Sequence, residues 1–492
     1  MGKFITFPEL LIWLPFLAGL ITFFIKNEKG AAYTALAGSL LTLGVSIVSL
    51  FYTDSKYYTW NVVNYFWLKY IGNSFYVGID GVGRLLTFLT AVAFPLIILS
   101  SIKTAYKHAR YFYGLILLAQ CGLMGVFCAW DALLFYFFWE LALIPVYFLS
   151  SLWGGPKRIQ ATFKFFVYTF LGSLLMLAGI IYIYLHTPGR LFEDGTTSPH
   201  SFALKSFMTA GLQAKEQAGL FILFMMAFAI KMPIFPFHTW QPDAYDQSPT
   251  PVTMIMSGVM VKMGLFGVIR WLLPVIPGAF GEYAYVIMLL SVIGIVYASV
   301  IAMAQDNLKK LVAYSSIAHI GLMSAALFAS NALATQGMMF QMFTHGINII
   351  GLWVVLEILE RQTGVKTISG LSGIAHQAPR LTIAFIVIAF ANIALPLTNA
   401  FPGEFMMFAG LFQKNVWLAA FAGLSVILAA VYMLNMLRKV CYGTANEAAL
   451  TLKDVTGTDL IVLTLIVTMI LWMGVFPGSL LHISKLASAN LF

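Results

Sequence analysis

Apolar runs long enough to cross a lipid bilayer follow one another along almost the whole sequence. A spanning helix needs about 20 such residues, and by that measure the chain holds about fourteen candidate spans. Leu10–Ile25, Ala31–Tyr52 and Leu85–Ser101 come first, then Tyr111–Trp130, Ala132–Leu152 and Phe163–Leu185. A seventh run starts at Leu220, and Pro251–Leu273, Tyr283–Met303, Leu311–Phe328 and Gly337–Leu359 follow it. A twelfth starts at Leu381, and Val416–Leu437 and Leu460–Phe476 close the series. In hydrocarbon every backbone polar group needs an internal partner, so such runs fold as helices. The expected fold class is an all-α polytopic membrane protein.

Charge sharpens this reading. Only 10% of the residues are charged, against about 25% in soluble domains, so a set of soluble domains is excluded. The net charge of +9 implies no nucleic acid. It reflects loops: the clusters Lys103–Lys107–Arg110, Lys157–Arg158–Lys164, Lys309–Lys310 and Arg438–Lys439 all fall on one side when loops alternate. That side is expected to be cytoplasmic, with both termini facing away from it. A polar loop with Asp54, Lys56, Lys69 and Asp80 separates the second and third runs, and the longest loop covers His186 to Ala218. The first run follows one lysine and no small-residue cleavage site, so it reads as a retained span. Cys121, Cys128 and Cys441 form no C-x-x-C pair, which leaves zinc, iron–sulfur and disulfide frameworks without support. No glycine-rich nucleotide fingerprint follows a strand.

The seventh run does not stay helical. It leads into KMPIFPFHTWQPDAY from Lys231 to Tyr245, where two prolines break a helix just after a lysine. A broken helix at membrane depth is tolerated only inside protein or beside water. The twelfth run is broken in the same way at Pro396 and Pro402. Only four charges remain well inside the spans: Glu140, Lys231, Lys262 and Glu404. Such residues are costly in lipid and mark functional sites by default. Two acids and two lysines read as partners, and the glycines beside Lys262 allow close helix approach. Each also has a plainer reading: Lys231 snorkelling, Glu140 a neutral structural carboxyl, Lys262 a counter-ion, Glu404 a helix-end group. His319 and His345 read equally as relays or packing residues, and His238 as a structural hydrogen-bonder.

The two broken runs lie five spans apart, so a repeated five-helix unit would insert upside down. The expected units are spans 4–8 and 9–13, with broken helices 7 and 12. The matching boundaries are 1–110, a three-helix segment; 111–273, the first repeat; 283–437, the second; and 438–492, a last helix and tail.

These motifs carry a resemblance. The Trp139–Glu140–Leu141 triplet with Pro145, the Lys231–Tyr245 stretch, Lys262-Met-Gly, Asn307 to His319, and Phe401-Pro-Gly-Glu-Phe405 are similar to the antiporter-like, proton-pumping membrane subunits of respiratory complex I, NADH:quinone oxidoreductase. The similarity covers nearly all of the chain. An acid at Glu404 resembles the M-type branch, whereas chains L and N resemble each other in carrying lysine there. The length likewise lacks the long extra helix of chain L. One departure is Leu397 after Pro396, where the family usually has glycine. The resemblance implies proton transfer through Glu140, Lys231, Lys262, His319, His345 and Glu404, with Glu404 at the exit. It implies an inner-membrane location, chains L and N as neighbours, and no cofactor in this chain. NADH, FMN, iron–sulfur clusters and quinone would belong to partner subunits. Two other classes stay open: a subunit of an Mrp-type cation/proton antiporter, and a membrane scaffold that transports nothing.

Overall fold

The computed structural model describes residues 5–52, 58–191 and 197–488; Asp54 and Lys56 of the first polar loop lie outside them. Helices dominate. They are α1 (Phe7–Phe24), α2 (Glu28–Ser49), α3 (Gly81–Ser101), α4 (Ala109–Cys128), α5 (Ala132–Trp153) and α6 (Arg158–His186). Then come α7 (Ala214–Lys231), the short α8 (Gln241–Gln247) and α9 (Thr250–Val275). The other helices of more than five residues are α10 (Pro277–Met303), α11 (Leu308–Phe328), α12 (Ala332–Thr363), α13 (Pro379–Asn392), α14 (Ala400–Lys414), α15 (Val416–Cys441), α16 (Thr458–Val475) and α17 (Gly478–Ser488). Among the described residues, 12 helices are long and apolar enough to cross a bilayer. The two broken elements, α7–α8 and α13–α14, fall outside that set.

Burial separates the helices into an interior and a rim. The apolar windows of α9 and α12 are 100% buried and that of α11 is 94% buried, whereas α16 buries only 33%. A helix apolar on every face belongs either inside a bundle or against lipid, and these shares decide which helices do which. The enclosed helices are those that carry Lys262, His319 and His345.

Polar loops hold more structure than their composition suggests. The loop after α2 contains an antiparallel hairpin, β1 (Val62–Leu68) and β2 (Asn73–Gly78), and Arg190–Leu191 pairs with Thr197–Ser198. β1, Val-Val-Asn-Tyr-Phe-Trp-Leu, is rich in β-branched and aromatic residues, a strand signal that the all-helical expectation passes over. Asp131 ties the hairpin down. Its Oδ1 caps α5 by accepting from Leu133 and Leu134 N–H. The same carboxylate accepts from the Asn73 amide at 2.8 Å and the Ser74 N–H at 3.1 Å. Capping normally satisfies the orphan donors of one helix; here one side chain joins two elements.

Both breaks fall where the prolines direct them. α7 ends at Lys231 and helix resumes at Gln241, while α13 ends at Asn392 and helix resumes at Ala400. In the second break Leu397 sits at φ 74, in the left-handed region that glycine adopts freely. That conformation costs an L-residue about 1–2 kcal/mol, and the Leu397 side chain, 69% exposed, recovers little by burial. Leu397→Gly is therefore expected to raise the thermal stability of the assembled protein by up to about 1 kcal/mol after the entropy cost of glycine. Leu397→Val is expected to lower it. Calorimetric midpoints of the two variants check the sign, and a stabilising valine would remove the strain argument.

Candidate functional site

Lys231 closes α7 at the break and is 1% exposed. Its ammonium has no hydrogen-bond partner. It faces rings instead: Nζ lies 5.4 Å from the centre of Trp139 and 6.0 Å from Phe165. Such cation–π contacts stabilise a desolvated lysine only partly. Trp139 and Glu140 are adjacent on α5, and the Glu140 charge is felt at Lys231. The pair nevertheless makes no ion contact, and Glu140 Oε1 is also unpartnered. Sequence reasoning treated the two as partners; the structure holds them close and apart. Glu140 lines a cleft of about 370 Å³ with Trp67, Tyr136 and Ile144.

Lys262 is fully buried on α9. It donates to the Ser257 carbonyl at 2.8 Å and to His345 Nδ1 at 2.9 Å. The first acceptor exists because α9 is underwound there, with one extra residue in the turn. In an α-helix Val261 N–H would bond to Ser257; here it reaches back to the Met256 carbonyl at 3.1 Å. Wide turns of this kind free a carbonyl and recur at functional sites. The expected partner of Lys262 was a carboxylate, and that is corrected: its side-chain partner is an imidazole. A neutral acceptor close to a buried ammonium leaves the proton more readily shared than a carboxylate would.

From His345 the polar contacts continue. With Nδ1 accepting from Lys262, the ring proton sits on Nε2, 3.4 Å from Ser316 Oγ. The His319 ring centre is 5.6 Å from that of His345. His319 Nδ1 lies 3.1 Å from Glu404 Oε1 on α14, while its Nε2 has no partner. Tyr432 on α15 donates to Ser315 Oγ at 3.0 Å, beside Glu404. Lys262, His345, His319 and Glu404 thus form one buried row across α9, α12, α11 and α14. Lys231 and Glu140 stand apart from it. On α8, the Gln241 amide and the Tyr245 hydroxyl are also buried with no hydrogen-bond partner.

His238, expected to be a structural hydrogen-bonder, leaves Nδ1 unpaired and packs against Phe235 and Tyr297. Glu140 is half-buried, and the structure buries charges that were not expected: Glu9, Arg84, Asp131, Lys309, Glu357 and Asp459. They sit near helix ends with partners, as in Lys309–Glu360 at 2.6 Å and Lys103–Asp459 at 2.8 Å, and Thr104 donates to Glu357. A count by span depth passes over such residues.

Sequence reasoning missed Gln341, Thr344 and Ser316. A signal was present. On the fully enclosed α12, Gln341, Thr344, His345 and Asn348 recur at three, four and seven residues, which places them on one face.

Comparison with known proteins places the fold in a family. Residues 129–429 match the family described as NADH:quinone oxidoreductase/Mrp antiporter, TM. NADH-quinone oxidoreductase subunit M of Rickettsia typhi is 35% identical over 98% of this chain and 97% of its own. A chain of respiratory complex I from Thermus thermophilus superposes with a TM-score of 0.88 at 28% identity, covering 98% of this chain and 99% of that one. A chain of the Mrp complex from Dietzia sp. has the same fold, with a TM-score of 0.86 at 18% identity over 99% and 97%. The break motifs, the buried row and the full-length similarity lead to one conclusion: the chain belongs to the NADH:quinone oxidoreductase/Mrp antiporter family of transmembrane subunits.

Proposed function

We propose that this chain is a membrane-arm subunit of an NADH:quinone oxidoreductase and moves protons across the membrane along its buried polar row. The observation that carries the reading is the series Lys262–His345–His319–Glu404, buried together in the bundle interior. Its groups all exchange protons, and adjacent members sit within hydrogen-bond reach or one small gap apart. Internal water, which normally satisfies buried polar groups, bridges the gap between the two imidazoles and the stretch from Lys231 past Gln241 and Tyr245.

Glu140 sets the state of Lys231. An approaching carboxylate favours the ammonium, and its withdrawal in an apolar setting favours release. A proton released there passes to Lys262, the histidines and Glu404, the exit-side carrier. Moving it against the field costs about 2.3 kcal/mol per 100 mV. The driving energy comes from quinone reduction in other subunits, which hold the NADH site, FMN, iron–sulfur clusters and quinone. Chains L and N are its neighbours. The proposed frame is fourteen crossing elements in an inner membrane, the two broken ones at equivalent places in inverted repeats 111–273 and 283–437, with both termini on the non-cytoplasmic side.

The test is Lys231→Met in the assembled complex, reconstituted in vesicles, with acidification followed beside NADH oxidation. The proton yield is expected to fall and NADH oxidation to slow. Normal pumping by the variant would favour the scaffold reading. Sodium-dependent exchange without NADH would favour the Mrp-type antiporter, which shares this fold.

A further inference from the structure

We infer that Gln341 is a positioning residue that aims the Glu404 carboxylate at His319, and that Thr344 sets which way the Gln341 amide faces. The inference rests on the reading of Glu404 as a proton carrier. Gln341 and Thr344 lie one turn apart on α12, and both are buried. Gln341 Nε2 donates to Glu404 Oε1 at 3.2 Å. His319 Nδ1 meets that same oxygen at 3.1 Å. Two donors from different helices hold one carboxylate oxygen in place.

An amide can turn its nitrogen to Glu404 only if its carbonyl end finds a donor. Thr344 supplies one, with Oγ1 donating to Gln341 Oε1 at 3.0 Å. The same hydroxyl lies 3.3 Å from the Phe340 carbonyl and 3.5 Å from the Gln341 carbonyl. It therefore has an alternative acceptor on its own helix. That makes the pair serviceable in both states of the acid. With Glu404 ionised, Nε2 donates to Oε1. When His319 delivers its proton, the Nδ1–H bond breaks, an O–H bond forms on Oε1, and the ring is left neutral. Turning over then lets Gln341 Oε1 accept that O–H, while Nε2 donates to Thr344 and the hydroxyl proton swings to Phe340. No buried polar atom of the pair loses its partner in either state, and such a loss would be the main cost of a buried amide.

Backbone spacing supports a dedicated role. A Cβ on Gly403 would stand 2.8 Å from Gln341 Oε1, and one on Gly337 would stand 2.8 Å from the Gly403 carbonyl. These two glycines, with Gly410 against Ala334, let the helices α12 and α14 approach closely.

The experiment uses the assembled complex in vesicles, reading NADH-driven acidification, assembly, and the infrared carboxyl stretch of Glu404. Glu404→Gln identifies that band by its disappearance. Normal pumping by Glu404→Gln would reject the carrier reading and the inference together. With pumping lost there, Gln341→Leu and Thr344→Val are each expected to slow translocation about tenfold, the scale of one hydrogen bond to a charged group. Both are expected to move the Glu404 band to higher frequency. Thr344→Ser keeps the hydroxyl and is expected to restore rate and band. Wild-type rate and an unmoved band in Thr344→Val would overturn the inference while leaving Glu404 as a carrier. Equal losses in the valine and serine variants would overturn it too, because packing alone would then explain them.

Discussion

Replacing Lys262 with methionine is expected to stop proton translocation by this subunit while the complex still assembles. Methionine has similar length and fills the same apolar space. Removing the lysine leaves the Ser257 carbonyl and His345 Nδ1 without their donor, at about 1–3 kcal/mol each. It also removes a buried charge, and apolar replacement of such charges is often neutral or stabilising. The two effects offset each other, so stability changes little. Function has no such offset. A placed proton-transfer group contributes about 10²–10⁴-fold, and on the proposed route Lys262 is the entry to the row that ends at Glu404. Acidification should fall at least about a hundredfold, with assembled complex present on a native gel. Lys262→Arg sharpens the result. Arginine keeps the charge but does not release its proton in proteins, so it too is expected to fail. Pumping by the arginine variant would show that charge suffices and that the residue need not titrate.

The architecture was legible because bilayer thickness imposes a length on every span. The long apolar runs and the structure's unbroken helices coincide, with ends differing by a few residues where caps such as Asp80 and Asn331 extend a helix beyond its apolar part. The two elements outside the unbroken set, α7–α8 and α13–α14, are those that the prolines marked. The hairpin β1–β2 was passed over. The apolar, β-branched and aromatic β1 is too short for a span, and what fixes the hairpin is Asp131, 57 residues beyond Ser74 in the chain.

The candidate site was legible in part, and for a stated reason. Charge inside an apolar span is expensive, so Glu140, Lys231, Lys262 and Glu404 stand out by depth alone. Partnership does not follow from depth. Lys262 finds His345 83 residues away, and Lys231 finds aromatic rings. Neutral polar residues carry a smaller penalty, so Gln341 and Thr344 are visible only once α12 is known to be enclosed on all sides. The turn that frees the Ser257 carbonyl is a backbone feature with no side-chain signature.

Gly264→Ala is expected to cost both stability and pumping, although it adds a single methyl group. Gly264 lies two residues after Lys262 and faces the last turn of α7. A Cβ there would stand 2.7 Å from the Phe228 carbonyl and 2.9 Å from the Met232 N–H nitrogen. These two atoms are hydrogen-bonded to each other at 2.8 Å, and the turn they close carries Lys231. Nothing flexible is available to move aside. Alanine gains about 1 kcal/mol over glycine in a helix interior, but overpacking against fixed atoms costs about 1–3 kcal/mol. The clash is expected to win, and relief requires α7 to move away from α9. A displacement of about 1 Å in a positioned group costs on the order of 10²-fold in rate, so pumping should fall further than stability. Gly423→Ala on α15 is the control, because a Cβ there meets nothing within 4 Å. It gains the propensity term without the clash and is expected to be slightly stabilised and fully active. Thermal midpoints and acidification rates of the two alanine variants decide the matter. A Gly264→Ala complex that matches the control in both would mean that the close contact between α7 and α9 does not hold Lys231 in place.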